Sequence, residues 1–249
     1  MHRLLVPEES LAQDAVALPQ DAARHLKVLR PKPGEEIELF DGRGHVRRYA
    51  WSPAGLRASG GLSTFRPPTS GLVLFACVTK GSRWDWTIEK AVELGVSRIV
   101  PVISDRYIVR LAADEREAKA ERWRRIAEDA ARQSDAVWLP EVLAPVDFPR
   151  ALELVKETGR VFVGALTNPP PPPLLAAVSQ SSTAPESNNQ TIKQSDNSLG
   201  LFVGPEGDFT PEELAALLAV ATPASFGPTI LRAETAAIFG LSVLAATRH

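Results

Sequence analysis

Two stretches decide how this chain is read: LFVGPEGDFTPEEL (201–214) and FGPTILRAETAAI (226–238). The first begins as a short apolar run, breaks at two glycines around Pro205-Glu206, and continues into Thr210-Pro211-Glu212-Glu213. That tetrad has the chemistry of a helix start: a threonine cap, a proline in the first turn and a glutamate three residues after the cap. A strand that turns through glycine into a helix N-terminus offers backbone amides and the positive end of the helix dipole to a ligand. Gly204 and Gly207 are expected either to let those amides approach closely or to take positive φ. The second stretch repeats the scheme, with an apolar strand end at Thr229-Ile230-Leu231 reaching Arg232, Glu234 and Thr235 at the head of another helix. Capping alone explains Thr210 and Glu213 but leaves Glu206 without a role. The two loops together predict a shared ligand site.

The surrounding pattern alternates strands and helices. Residues 72–79 are almost continuously apolar, as in a strand buried on both faces of a parallel sheet. Trp84, Ile88, Ala91 and Val92 follow at helical spacing, Gly95 is placed to end that helix, and residues 96–103 form the next strand. A strand-helix-strand unit of this kind predicts an α/β domain. Residues 114–134 read as a charged helix with Trp123, Ile126, Ala127 and Ala130 on one stripe, and 161–166 and Leu199–Val203 as two more core strands. Residues 236–246 are a terminal apolar helix suited to the sheet or to a second subunit. The uncharged run 214–231 is broken by Pro223, Gly227 and Pro228, which predicts buried core rather than a membrane span.

The N-terminal part has a different texture. Glu36–Phe40 is a strand, Asp41-Gly42-Arg43-Gly44 a turn and 46–51 the returning partner. HLKVLR (25–30) is a short amphipathic piece stopped by Pro31-Lys32-Pro33-Gly34, and STFRPPTS (63–70) reads as a hinge. Two domains are therefore expected, 1–68 and 69–249. Within the second, the proline run 169–173 and the Ser/Asn/Gln/Thr tract 179–198 make 168–198 an insert expected to be disordered.

Composition excludes more than it assigns. A chain of 249 residues, 44% hydrophobic and 23% charged, is an ordinary soluble globular protein with room for a sizeable core. One cysteine permits no disulfide within one chain, and one thiol with four scattered histidines builds no zinc cage, so no metal is expected. A reducing cytoplasm fits, and the N-terminal MHRLLVPEES lacks the apolar segment of a secretory signal. Net charge is −2; residues 1–69 carry ten basic against eight acidic side chains, and the rest eighteen against twenty-two. Any contact with nucleic acid must then come from a local patch. One candidate is Lys80-Gly81-Ser82-Arg83 at the carboxyl end of the first core strand, with Arg106 at the corresponding end of the next. Ligands of open α/β sheets bind beyond those ends, and the cations suit a phosphate backbone, although a solvated loop would look the same. Gln133-Ser134 reads equally as a polar helix terminus or a nucleotide contact.

Taken in order along almost the whole chain, five motifs resemble the RsmE family of 16S ribosomal RNA uridine-N3 methyltransferases, of the SPOUT class. They are HLKVLRPKPGE (25–35), KGSRWDWTIEKAVELGVSRIVPVISDR (80–106), WRRIAEDAARQS (123–134), GPEGDFTPEE (204–213) and GPTILRAETAA (227–237). The resemblance implies a PUA-like β-barrel domain, an RNA-binding module, over 1–68. It implies a SPOUT methyltransferase domain over 69–249 whose C-terminal segment forms a trefoil knot. It further implies S-adenosylmethionine as methyl donor, a homodimer, and a U1498-type uridine of the small ribosomal subunit as target. A SPOUT enzyme with another RNA target, and a non-catalytic ribosome-assembly protein, are the alternatives; the intact glycine loops speak against the latter.

Carried over residue by residue, the resemblance implies cofactor contacts at Leu166 and Thr167, at Gly204, Pro205 and Gly207, and at Phe226 and Gly227. Ile230, Leu231, Thr235 and Ala236 complete that set. Arg232 and Glu206 are the catalytic candidates. Uracil N3 must lose a proton as it attacks the methyl group, so Arg232 is expected to stabilise the developing anion or orient its phosphate. Glu206 is expected to be structural or to position the substrate. RNA contacts are expected at Arg24, Lys27, Arg30, Arg43, Arg47 and Arg48 in the first domain, and at Lys80, Arg83 and Arg106 in the second. Three places depart from the family pattern: Asp208 follows the second glycine where another glycine is usual, Thr167-Asn168-Pro169 leads into the insert, and Tyr107 follows Arg106.

Overall fold

The strand Leu72–Cys77 is buried at every residue, which requires helices on both faces of its sheet. A computed structural model of the chain describes residues 1–68, 71–104, 106, 112–165, 167, 169–180 and 197–248. The chain forms two units, Met1–Pro68 with Glu128–Leu139, and Thr69–Ala127 with Pro140–His249.

In the first unit, β1 (His2–Leu5), α1 (Glu8–Leu11), β2 (Ala15–Val16) and α2 (Gln20–Leu29) precede β3 (Glu36–Phe40), β4 (His45–Ser52), β5 (Gly55–Ala58) and β6 (Ser63–Thr64). The sheet runs β1-β3-β4-β5-β2, with β6 paired to β4. The expected hairpin is present: β3 and β4 pair antiparallel, and Asp41 closes the turn by accepting the amides of Arg43 (2.7 Å) and His45 (3.0 Å) and the His45 ring (2.6 Å). Burial alone would raise the Asp41 carboxyl, but those hydrogen bonds outweigh it and hold the group below its ordinary range. Tyr49, fully buried, directs its hydroxyl at the carbonyls of Ser10, Leu11 and Gln13. The amphipathic piece expected at 25–30 is the second half of a longer helix that starts at Gln20, and the expected hinge contributes β6.

One buried cation organises this unit. Arg3 is 4% exposed; its Nε donates to Glu38 (2.7 Å) and its Nη1 to the carbonyls of Ala131 (2.9 Å) and Ala136 (3.2 Å), and the guanidinium lies over the Phe40 ring. Nearby, Gln133-Ser134 proves to be a helix terminus: the Ser134 hydroxyl donates to the Ala130 carbonyl, and Asp135 takes the left-handed conformation that follows a helix end.

The second unit contains β7 (Leu72–Cys77), α3 (Ser82–Glu93), β8 (Arg98–Ile103), α4 (Ala113–Gln133, whose last residues group with the first unit), β9 (Glu141–Val142), β10 (Val146–Asp147), α5 (Phe148–Glu157), β11 (Arg160–Gly164), α6 (Leu174–Gln180), β12 (Leu199–Val203), α7 (Pro211–Leu218), β13 (Thr222–Ala224) and α8 (Ala233–Ala246). Its sheet is parallel throughout, ordered β10-β8-β7-β12-β11-β13, with β9 also on β8. One face carries Val73, Phe75, Val163 and Phe202 against Phe148, Ala151 and Val155 of α5 and Leu217 of α7. The opposite face is covered by α8, which packs on β12 and β7 and against α3 and α6.

Several expectations need correction. The run 214–231 is not continuous core: α7 ends at Leu218, β13 is a three-residue edge strand that tolerates Pro223, and Ile230 is 84% exposed. Thr229-Ile230-Leu231 is therefore loop, not strand end, because Gly227 at φ +118° and Pro228 turn the chain away from the sheet. Part of the expected insert is ordered: α6 buries Leu174, Ala177 and Val178, one apolar face at i, i+3, i+4. Residues 168 and 181–196 of that insert lie outside the described residues.

Two outcomes test this picture. Arg3→Ala removes the buried cation bonded to Glu38, leaving only the exposed Arg48 at 4.0 Å, and should cost about 3 kcal/mol in urea unfolding, with Arg3→Met/Glu38→Leu recovering much of it. Cys77 is 1% exposed and burial pushes its thiol up to about 12. The unfolded chain loses this proton near pH 9 while the folded chain keeps it, so the thiol's contribution to stability falls as pH rises between those values. A thiol reagent at pH 8 should modify Cys77 only in denaturant.

Candidate functional site

Parallel strands place all their carboxyl ends on one edge, so the loops after β8, β7, β12, β11 and β13 leave the second unit side by side in that order. That edge gathers Arg106, Lys80, 204–207, Thr167 and Phe226-Gly227. Only β11 lies between β12 and β13, so ordinary strand spacing sets the two motif loops about 10 Å apart where they begin.

The loop after β12 is built almost entirely by its own residues. The Asp208 amide donates to the Pro205 carbonyl (3.0 Å), closing a tight turn. Asp208, not either glycine, takes positive φ (61°), and its carboxylate accepts the Phe209 amide (2.8 Å). Neither Gly204 nor Gly207 has positive φ, so for both the conformational half of the expectation is withdrawn. Gly204 is required by packing: a Cβ there would sit 2.8 Å from the ring of Phe209, which is locked among Phe202 and Phe148. The capping box then forms as expected, with Thr210 Oγ1 accepting the Glu213 amide (3.1 Å) and Glu213 accepting the Thr210 amide (3.0 Å).

The loop after β13 is fixed at both ends. Gly164, last residue of β11, lies directly under Phe226, whose ring would be 2.6 Å from a Cβ at that position, and Phe226 also meets Phe239 of α8. At the other end Arg232 is the N-cap residue of α8 with an extended backbone, and its side chain has neither an ion pair nor a hydrogen bond among the described residues. Thr235 is exposed and Ala236 buried in the first turns of α8. Gly240 sets how far along the sheet that helix starts, since a Cβ there would be 2.6 Å from Leu201 of β12. Eight helical residues back to Arg232 cover ~12 Å and three strand residues forward to Gly204 ~10 Å, so the two arrive at about the same level.

Charge at this edge is arranged differently from expectation. Glu206 is paired with Arg83, and Arg106 donates to the Gly207 carbonyl. Two arginines read as RNA contacts therefore hold the glycine loop, and the carboxylate read as catalytic already has a cation. Lys80 and Arg232 have no ion pair among the described residues. At the same edge the Thr79 hydroxyl is buried without a partner among the described residues, and the buried Ser104 hydroxyl lies beside the Cys77 thiol. The described histidines all belong to the first unit, and the buried Cys77 keeps its proton. Neither a histidine nor a reactive thiol thus serves this edge among the described residues, while Glu234, in the first turn of α8, keeps one buried carboxylate oxygen without a hydrogen-bond partner there. Leu166 lies outside the described residues; Thr167 is described, its hydroxyl donating to the Pro169 carbonyl.

In the first unit, Arg24 and Lys27 lie exposed one turn apart on α2, and Arg30 ends that helix in the left-handed conformation. His25 between them titrates below its ordinary value, through burial and then the repulsion of Arg132 and His2, which marks the surface as electropositive. Arg43 and Arg48 are exposed, 3.9 Å from Glu8 and 4.0 Å from Glu38 respectively. Arg47 is engaged internally, with donors on Leu11, Gly60 and Asp14 and its guanidinium over Tyr49.

Comparison with known proteins finds two family regions in the chain. Residues 66–245 match the RNA methyltransferase domain family, and residues 18–50 the RNA methyltransferase PUA domain. The chain is 31% identical over 225 residues to the ribosomal RNA small subunit methyltransferase E of Mycobacterium tuberculosis, covering 87% of this chain and 80% of that protein. It is 29% identical over 251 residues to the Synechocystis protein of the same name, covering 97% and 76%. The crystal structure of a Neisseria gonorrhoeae ribosomal RNA small subunit methyltransferase E bound to S-adenosylmethionine superposes with a TM-score of 0.78 at 27% identity, over 99% and 98% of the two chains.

The geometry sets two tests. Asp208→Gly should leave the melting temperature nearly unchanged, whereas Asp208→Val, β-branched in a left-handed site, should cost about 1–2 kcal/mol. Gly240→Val should displace α8 from Leu201 and abolish ligand binding at the edge before it abolishes helical circular dichroism.

Proposed function

The chain belongs to the RsmE family of RNA methyltransferases, and from that membership we propose that it uses S-adenosylmethionine to methylate small-subunit ribosomal RNA at N3 of a U1498-type uridine. The observation that carries this reading is the meeting of the two glycine loops at neighbouring strand ends, on a chain whose solved relative holds S-adenosylmethionine. Exposed amides of the 204–208 turn and of the loop leading to Leu231 would hold the adenosine, with Phe226 and the Ala236 helix turn as apolar walls. S-adenosylmethionine supplies an electrophilic methyl carbon next to a sulfonium charge.

What the chain itself must do is bring uracil N3 in line with that carbon and favour the N3 anion. Arg232, unpaired at the head of α8 and level with Gly204, is the cation for the developing charge on the uracil oxygens or for the adjoining phosphate. Glu206 serves structure rather than proton transfer, because Arg83 occupies it. RNA is taken up by local patches: the α2 face with Arg24, Lys27 and Arg30, the exposed Arg43 and Arg48, and Lys80 at the sheet edge. Arg47 contributes to that surface only by holding it in place.

Three further parts of the reading rest on the family. The chain crosses from β11 to β12, places β13 outside β11, and returns as α8 over β12 and β7; this order supports a knotted C-terminal segment, an exception to the usual un-knotted connections. Exposed Trp86, Leu175, Ile230 and Phe239 on α3, α6, α8 and the loop before α8 support a homodimer through that face. No helix among the described residues is long and apolar enough to cross a membrane; a ribosomal RNA substrate supports a cytoplasmic location.

The deciding experiment is transfer of a tritiated methyl group to naked 16S RNA, to small subunits and to transfer RNA, with the modified nucleotide mapped. Label confined to small-subunit uridine N3 is expected; label elsewhere would overturn the target. Arg232→Ala should lower kcat about a hundredfold while the Kd for S-adenosylmethionine changes little.

A further inference from the structure

The tip of the 204–208 turn, Glu206-Gly207, is exposed, and the turn's own hydrogen bond and capping box fix only its two ends. A glycine-bearing tip of that kind samples several conformations unless something outside the loop holds it. Two side chains do so here. Arg83, in the first turn of α3, is paired with the Glu206 carboxylate, and Arg106, beyond β8, donates to the adjacent carbonyl of Gly207. Neither arginine has any other ion pair among the described residues. The Arg83 carbonyl is itself engaged by the Thr87 hydroxyl (2.9 Å), so this clamp stands on a settled helix turn. Both arginines come from the ends of β7 and β8, on the side of β12 opposite to β11 and β13. The loop is thus gripped from one flank while its other flank faces the second glycine loop.

We propose that Arg83 and Arg106 are positioning residues that hold the 204–208 turn in its ligand-binding form, Arg83 acting through Glu206. This rests on the reading of that loop as the S-adenosylmethionine cradle. The pair adds little to global stability, because both side chains are more than a third exposed (38% and 47%) and such pairs are weak. It acts on the fraction of molecules whose loop is competent, and apparent affinity scales with that fraction. An exposed pair of this kind changes such an equilibrium by at most about fivefold. The assignment also accounts for Glu206, which capping leaves without a role.

The test is calorimetric titration of S-adenosylmethionine into the full chain and into Arg83→Gln, Glu206→Gln, the double variant and Arg106→Gln, with melting temperatures as control. Each single variant should raise Kd about three- to fivefold at a nearly constant melting temperature. The double variant should be no worse than Arg83→Gln alone, and Arg83→Glu/Glu206→Arg should recover part of the loss. In methyl transfer the KM for cofactor should rise while kcat at saturation holds. A wild-type chain that binds, with variants that bind equally well or with losses that multiply in the double, would overturn the positioning role alone. Loss of RNA affinity and a flatter salt dependence in Arg83→Gln, with cofactor Kd unchanged, would put Arg83 on phosphate instead. A wild-type chain that takes up no S-adenosylmethionine would overturn the cradle reading and the clamp with it.

Discussion

The second unit depends on one close approach. α8 must lie against β12 with no side chain at Gly240, because Leu201 fills the space a Cβ would need. That contact sets the height at which the helix begins, and so brings Arg232 to the level of Gly204 although 27 residues of chain separate them. The same economy of side chains recurs at Gly164 beneath Phe226 and at Gly204 beneath Phe209. Each is a place where an aromatic or leucine side chain replaces the missing one, so the glycines of this region act as sockets more than as hinges.

Much of this was legible beforehand, for reasons that differ by element. β7 and β12 stood out because burial on both faces leaves no polar position to confuse the pattern, and α7 because its capping box is local chemistry. The hairpin of the first unit was readable from a glycine turn between alternating strands. What escaped had causes too. β13 contains a proline and only three residues, and Ile230 looks like core by composition but sits in a loop. α6 is short and hides between a proline run and a polar tract. Asp208, not a glycine, carries the positive φ, and a side-chain hydrogen bond to its neighbour makes that tolerable.

At the site the residue types were legible and their partners were not. Arg83, Arg106 and Glu206 are each recognisable as functional residue types, but a sequence cannot show that Arg83 pairs with Glu206 or that Arg106 donates to the Gly207 carbonyl, each more than a hundred positions away. Pairing changes the setting: the Glu206 carboxylate already has a cation, whereas among the described residues Arg232 and Lys80 have no ion pair and Arg106 donates to a neutral carbonyl. Among the described residues of that edge there is neither a histidine nor a reactive thiol. In the first unit, likewise, Arg47 is chemically an RNA-type residue with an internal occupation.

The grouping of Glu128–Leu139 with Met1–Pro68 has a bearing on biosynthesis. Arg3 finds its acceptors at Ala131 and Ala136, residues that leave the ribosome long after the strands they complete. The first sheet therefore waits, with the Arg3 guanidinium held by Glu38 and the Phe40 ring but lacking its two carbonyl acceptors, through the translation of some sixty intervening codons, roughly several seconds at ordinary elongation rates. A nascent chain released before that point would expose an unfinished N-terminal module to chaperones, however perfect its own strands.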